Sequence, residues 1–143
     1  MARHRFFYQL NLARHRVHKH IDKHAQRELG VSAAQMGLLF VIADAPGASQ
    51  RRIAERLAYR ESAITNQIKR LEEAGLVERV PSTEDKRALS VRLTARGEDV
   101  NRRARPLLGE WNARLMDGFS DDELDAAARF LAQAIERFGP EER

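Results

Sequence analysis

The sequence predicts a mainly α-helical chain carrying one small two-stranded β-ribbon, and three observations lead there. Apolar residues recur at 3.6-residue spacing through most of the 143 positions, as in helices with one buried stripe. The period changes to two in one place, residues 76–93. Helix-start signals (Ser32 with Gln35, Ser120 with Glu123) and helix-stop glycines punctuate the rest. No internal repeat, low-complexity tract or Gly/Ser/Pro-rich linker divides the chain, and its length suits one domain of the usual ~100–200 residues. Residues 1–143 are therefore expected to form a single domain.

Each element has a local reason. Residues 5–28 place Phe6, Leu10, Ala13, Val17 and Ile21 on one helical stripe with Arg and His outside it, and Gly30 ends that helix. Ser32 and Gln35 form a capping box, in which a hydroxyl and an amide each satisfy an orphan backbone N–H. The helix of 33–44 is apolar almost all round, which makes it the buried central one, and Ala45-Pro46-Gly47 stops it. Ser49 caps a short helix of 50–57 that turns Ile53, Ala54 and Leu57 inward. A turn at 58–60 leads to a helix of 61–74, with Ile64, Ile68 and Leu71 as its buried stripe and Gly75 at its end. Residues 76–80 and 89–93 alternate as paired strands; the charged segment 81–88 between them is too long for a two-residue turn. Thr94 caps a helix of 95–117, which Pro106 is expected to interrupt and kink for want of an N–H. The last helix, 121–138, carries Leu124, Ala127, Ala128, Leu131, Ile135 and Phe138 on one side.

Composition excludes several function classes. The absence of cysteine removes disulfide frameworks, thiolate zinc sites, cysteine nucleophiles and thiol redox sensing. The longest apolar run, residues 36–43, is far short of the ~20 residues of a membrane span. Met-Ala-Arg-His-Arg leads into an amphipathic stretch with no apolar signal core, so the expected location is the cytoplasm, without membrane attachment. An enzyme is disfavoured: the chain has no Gly-rich phosphate loop, no Gly-x-Ser-x-Gly elbow, and no paired carboxylates outside charged surface runs. Charge is unevenly spread. Residues 1–28 and 50–105 each carry a net +5, residues 29–49 carry −1, and residues 106–143 carry −5, within a total of +4. Such a gradient concentrates positive potential on the first two-thirds, as expected of a partner for a polyanion.

Two helices joined by a tight turn and followed by a ribbon with a basic tip have the order of a winged helix-turn-helix. In that fold the second helix enters the DNA major groove and the ribbon lies along the backbone or in the neighbouring minor groove. With Ile64, Ile68 and Leu71 facing the core, Ser62, Thr65, Asn66 and Lys69 face out, with Arg60 and Glu61 at the leading end. Asn bonds adenine in two places, Ser and Thr donate or accept, and Lys pairs with phosphate or guanine. Ser49, Gln50 and the amides beginning their helix suit a phosphate. Lys86 and Arg87 give the ribbon a positive tip, and a guanidinium is favoured in a narrow minor groove.

Residues 31–97 resemble the DNA-binding core of the multiple-antibiotic-resistance regulator (MarR) family. The likeness rests on Ser32-x-x-Gln35, Pro46-Gly47-x-x-Gln50, Ile53-Ala54-x-x-Leu57, Leu71-Glu72-x-x-Gly75-Leu76-Val77-x-Arg79, and Asp85-Lys86-Arg87-x-x-x-Val91-x-Leu93-Thr94-x-x-Gly97. It implies a dimeric repressor, with 31–97 as the DNA-binding lobe and 1–29 and 98–143 as dimerisation helices. It also implies that Arg87 enters the minor groove and that Asp85 orients the wing. The sequence departs from the pattern at Ala58, where a glycine is usual, at Arg60, where a small polar cap is usual, and at Lys86, where arginine is usual; lysine lacks the planar fork.

Dimerisation is expected on physical grounds as well, because the apolar stripes of 6–21 and 121–138 exceed what one small core needs. A symmetric pair of recognition helices ~34 Å apart calls for a pseudo-palindromic site in double-stranded DNA. No resident cofactor is expected. The resemblance suggests a small organic, aromatic acid as effector, for which Arg14 offers a carboxylate partner and His20, Met36 and Phe40 offer walls. The five histidines all lie in residues 4–24, and His20 and His24, four apart, allow a metal-responsive alternative. They suit a basic solvated helix with two partly buried interface histidines better. A non-specific architectural DNA binder is the other alternative. Trp111 is expected to pack at an interface.

Overall fold

The computed structural model describes residues 3–82 and 89–139. Among them the chain forms α1 (Phe6–Leu29), α2 (Ala33–Asp44), α3 (Gln50–Leu57), α4 (Glu61–Glu73), β1 (Val77–Pro81), β2 (Leu89–Leu93), α5 (Ala95–Met116) and α6 (Asp121–Arg137). The mainly helical class with a two-stranded wing is therefore observed, and most boundaries fall within a residue of the expected ones. The chain makes two compact units, Met1–Ala104 and Arg105–Arg143.

In the first unit, α2 is the central helix. Its capping box is complete: Gln35 N–H donates to Ser32 Oγ at 3.0 Å, and Ser32 N–H donates to Gln35 Oε1 at 3.0 Å. Asp22 of α1 adds a further cap by accepting the Ala33 N–H at 2.9 Å. At the C-terminal end of α1, Arg103 Nη2 reaches the Glu28 carbonyl at 2.8 Å, satisfying one of that helix's last carbonyls. Leu39 and Ile42 of α2, Ile53 of α3, Ile64, Ile68 and Leu71 of α4, and Val77 and Val91 of the ribbon are fully buried together as the core.

The ribbon is antiparallel, with Val77 opposite Leu93, Arg79 opposite Val91 and Pro81 opposite Leu89. Its first strand starts at Val77 rather than Leu76, because the Leu76 N–H is spent on the preceding helix. Leu76 N–H donates to Leu71 C=O at 2.9 Å and Gly75 N–H to Glu72 C=O at 3.0 Å, the paired bonds that close a helix through a left-handed residue. Gly75 supplies that residue, at φ +74°. A short third member lies on the other side of β2, where Ser49 bridges Ser90 and Val91 N–H donates to Ala48 C=O at 3.3 Å. Two residues are too few to register as an alternating pattern, so this member is invisible in the sequence.

The interruption expected at Pro106 does not occur; α5 runs through it as one helix. Proline deletes a single intrahelical bond, here to Arg102. Both residues are exposed, so water can take that carbonyl while neighbouring bonds carry the helix across. In the second unit Trp111 is buried, and α6 is capped by Ser120, whose Oγ accepts the Glu123 N–H at 3.3 Å. Among the described residues no helix is long and apolar enough to cross a membrane.

Two backbone positions invite a paired stability test by denaturant unfolding. Ala58 ends α3 at φ +54°, the one non-glycine residue with positive φ among those described. That conformation costs an L-residue ~1–2 kcal/mol, partly offset by the lower unfolded-state entropy of alanine. Ala58→Gly is expected to stabilise by about 1 kcal/mol, raising Tm by ~3 °C. Gly97→Ala is expected to do the opposite, because its new Cβ would stand 2.0 Å from the Leu76 carbonyl oxygen. The partner is backbone and cannot swing away, so the loss should sit at the upper end of the ~1–3 kcal/mol typical of overpacking.

Candidate nucleic-acid interface

Burial on one side of α4 determines what its other side presents. At 100° per residue, Ile64, Ile68 and Leu71 lie within one narrow arc, and each is at most 1% exposed. Ser62, Asn66 and Lys69 fall on the opposite arc, with Thr65 about a quarter-turn from the core direction. All four are exposed, as are Arg60 and Glu61 at the leading end. Ser62, Asn66 and Lys69 make no side-chain hydrogen bond or ion pair among the described residues. Arg60 occupies the N-cap without a side-chain cap bond, so the first amides of α4 remain available.

Thr65 is different. Its hydroxyl donates to the Glu61 carbonyl at 2.9 Å and accepts a bond from Gln50 Nε2, the first residue of α3. Gln50, expected to face a phosphate, thus ties α3 to α4 and holds Thr65. Ser49, expected in the same role, caps α3 by accepting the Arg52 N–H at 3.2 Å.

Beside them is an open cavity of about 820 Å³, lined by residues 44–52 together with Arg56, Glu61, Ser82 and Leu89. Three of its side chains, Arg51, Arg52 and Arg56, are exposed arginines outside the set of residues expected to meet DNA. Arg51 pairs loosely with Glu55 at 3.4 Å, an exposed contact that solvent weakens and an anion can displace. The signal was available: three arginines in one eight-residue helix, two of them next to its cap. A helix N-terminus ringed by guanidinium groups is chemically suited to a phosphate backbone.

The base of the wing is fastened by Thr94. Its hydroxyl donates to the Gly75 carbonyl at 2.6 Å and accepts the Gly97 N–H at 3.1 Å, while its own N–H donates to Leu76 C=O at 3.1 Å. Arg96 Nη1 adds a bond to the Ala74 carbonyl at 3.0 Å. Across the ribbon Arg92 and Glu78 pair at 2.5 Å. Arg79 points back towards Glu72 of α4 at 3.7 Å. The expected tip residues Asp85, Lys86 and Arg87 lie outside the described residues.

Of the residues expected to meet an effector, Met36 is buried in the core, His20 and Phe40 are half-buried and Arg14 is exposed. The cavity described above does not include them. The rings of His20 and His24 lie with centroids 4.1 Å apart, tilted by 31°, and His24 Nδ1 bonds the His20 carbonyl at 2.9 Å. Among the described residues no three His, Asp or Glu side chains gather around a common point.

Comparison with known proteins bears on the family and the fold. The model of the MarR family matches residues 29–88. The transcriptional repressor YetL of Bacillus subtilis is 30% identical over 120 residues, spanning 82% of this chain and 72% of YetL. The transcriptional regulator BilQ of Clostridium symbiosum is 28% identical over 94 residues, 66% of this chain and 65% of BilQ, so the match spans just under two thirds of that relative. Among solved structures, Staphylococcus aureus MepR in its DNA complex superposes with a TM-score of 0.86 at 19% identity, over 94% of this chain and 99% of MepR.

The two arcs of α4 should separate in unfolding experiments. Asn66→Ala removes an exposed, unpartnered amide and should change stability by no more than about 0.5 kcal/mol. Ile68→Ala, on the fully buried arc, should cost about 2–5 kcal/mol. Comparable losses at both positions would place Asn66 inside the structure instead.

Proposed function

The chain belongs to the MarR family of transcriptional regulators, which are not enzymes, and on that premise we propose that it is a dimeric, sequence-specific DNA-binding repressor. The observation that carries the proposal is the free polar arc of α4, Ser62, Asn66 and Lys69, opposite a fully buried apolar one. A helix held in this way presents base-reading groups at fixed spacing to a major groove. The likeness to MepR, a protein held in a DNA complex, and to the repressor YetL supports the same reading. In it, Ser49, Arg51, Arg52 and Arg56 meet the phosphate backbone, together with Arg60 and Lys69. Ser62, Thr65 and Asn66 meet base edges, with Glu61 able to accept from a cytosine amino group. Gln50 acts through Thr65. Arg87 would enter the minor groove, Lys86 would add to the positive charge of the wing tip, and Asp85 would help to orient the wing.

A homodimer is supported by apolar side chains that each unit leaves in solvent. Phe6, Phe7 and Tyr8 of α1 are exposed in the first, and Leu131 and Ile135 of α6 and Phe138 at its end in the second. Large apolar groups left bare in this number mark partner surfaces. Residues 1–29 and 98–143 are accordingly assigned to pairing, and a two-fold dimer calls for a pseudo-palindromic operator. Release by a small aromatic acid would use the exposed guanidinium of Arg14 and walls made by the half-buried His20 and Phe40 and the buried Met36. A metal effector has less support, since no third ligand joins His20 and His24 among the described residues. The site of action is the cytoplasm, where the operator would be.

Gel-shift titration against a selected duplex, with random duplex as competitor, tests the proposal. The selected duplex should survive competition at physiological salt; loss of all preference would mark a non-specific architectural binder. The logarithm of the binding constant should fall with the logarithm of salt concentration at roughly −0.9 per neutralised phosphate. Arg87→Ala should lower affinity most where A·T pairs flank the site, because a narrow minor groove concentrates negative potential.

A further inference from the structure

Resting on the reading of α4 as the helix that enters the major groove, we infer that Thr65 recognises a thymine through its γ-methyl group, and that Gln50 is the positioning residue that makes it do so. A threonine hydroxyl has one proton to donate and two lone pairs. Here the proton goes to the Glu61 carbonyl at 2.9 Å, and Gln50 Nε2 takes a lone pair. Thr65 therefore has no donor left for the acceptors that guanine, adenine or thymine present in the major groove. The residue is nonetheless exposed. With the oxygen turned back on its own helix and towards α3, the other heavy substituent of Cβ, the methyl, is the group left to face outward.

Thymine alone among the four bases carries an apolar group in the major groove, its C5 methyl. A methyl-bearing surface in contact with it gains by excluding water. The bond from Gln50 adds a second tie across two helices, so the side chain is held in one staggered well before DNA arrives. A free threonine could turn its hydroxyl outward and serve purine acceptors as readily as a methyl. Gln50 holds the oxygen against that rotation, so the hydroxyl keeps one lone pair but no free proton and the methyl is the group turned outward. Asn66, its exposed and unpartnered neighbour on α4, keeps its hydrogen-bonding capacity, so adjacent residues present opposite chemistries to the same groove.

The test selects duplexes from a random pool with the full-length protein and then replaces each thymine of the selected site, one at a time, by deoxyuridine. This change removes the C5 methyl and leaves the hydrogen-bonding edge intact. Wild-type protein should lose roughly fourfold in affinity at one thymine of each half-site, the worth of one buried methyl group. Thr65→Ser keeps the hydroxyl and both of its bonds, and should abolish that sensitivity. Gln50→Ala frees the hydroxyl, and should reduce the sensitivity while admitting other bases at the position. A deoxyuridine scan without effect in the wild type, or a sensitivity that persists in Thr65→Ser, would overturn the methyl contact. Undiminished sensitivity in Gln50→Ala would overturn the role of Gln50. A pool that yields no consensus overturns the groove-reading proposal itself, and this inference with it.

Discussion

The burial of Ile64, Ile68 and Leu71 is the constraint on which the candidate interface depends. Each side chain contributes about 1.5–3 kcal/mol on leaving water, whereas an exposed ion pair such as Arg51 with Glu55 contributes at most about 1 kcal/mol. Three residues at helical spacing therefore fix the rotation of α4 about its own axis far more firmly than any polar contact in the region. Once that rotation is fixed, the outward direction of Ser62, Asn66 and Lys69 follows from 3.6 residues per turn. These residues need no contacts of their own to be correctly placed, which is why they remain free for a partner.

Burial holds the helix but does not aim the wing. That task falls to hydrogen bonds of modest net worth, about 0.5–1.5 kcal/mol each. They converge on a single junction, where α4 ends, β1 begins and α5 starts. Gly75 turns the chain, Thr94 bonds Gly75, Leu76 and Gly97, and Arg96 takes the Ala74 carbonyl. Gly97 lets the start of α5 approach the Leu76 backbone to a distance no Cβ permits. The angle between α4 and the ribbon is thus set at six residues, Ala74, Gly75, Leu76, Thr94, Arg96 and Gly97, through backbone turns and two side-chain bonds to carbonyls.

Much of this was legible in the sequence because it is local. Capping boxes at Ser32 and Ser120, the stop at Gly75 and the strand of 89–93 are all specified within a few residues, and the structure has them. The outward face of α4 was legible for the same reason, since periodicity is a local property. Contacts between distant residues were not. Asp22 capping α2, Arg103 reaching Glu28 and Gln50 binding Thr65 join positions 11, 75 and 15 residues apart, and no spacing rule announces them. Pro106 lies within α5 instead of ending it, because the Arg102 carbonyl it leaves without an intrahelical partner is on an exposed residue that water reaches. Ala58 shows the reverse case, a residue poorly suited to its φ held there by the turn on either side.

The arrangement divides affinity from discrimination between two helices. In the proposed mode of binding, the arginines of α3 and the cap at Ser49 would address phosphates, which every sequence displays alike, and would supply attraction that salt screens. The neutral side chains of α4 would address base edges, where one mismatched pair typically costs ~1–3 kcal/mol and salt matters little. Gln50 stands at the border of the two, beginning the arginine-bearing helix while gripping Thr65 on the other. A shift of α3 against α4 would therefore loosen the reading of bases and displace the guanidinium groups together. On that proposal, the contacts between these two short helices would couple the strength of binding to its selectivity.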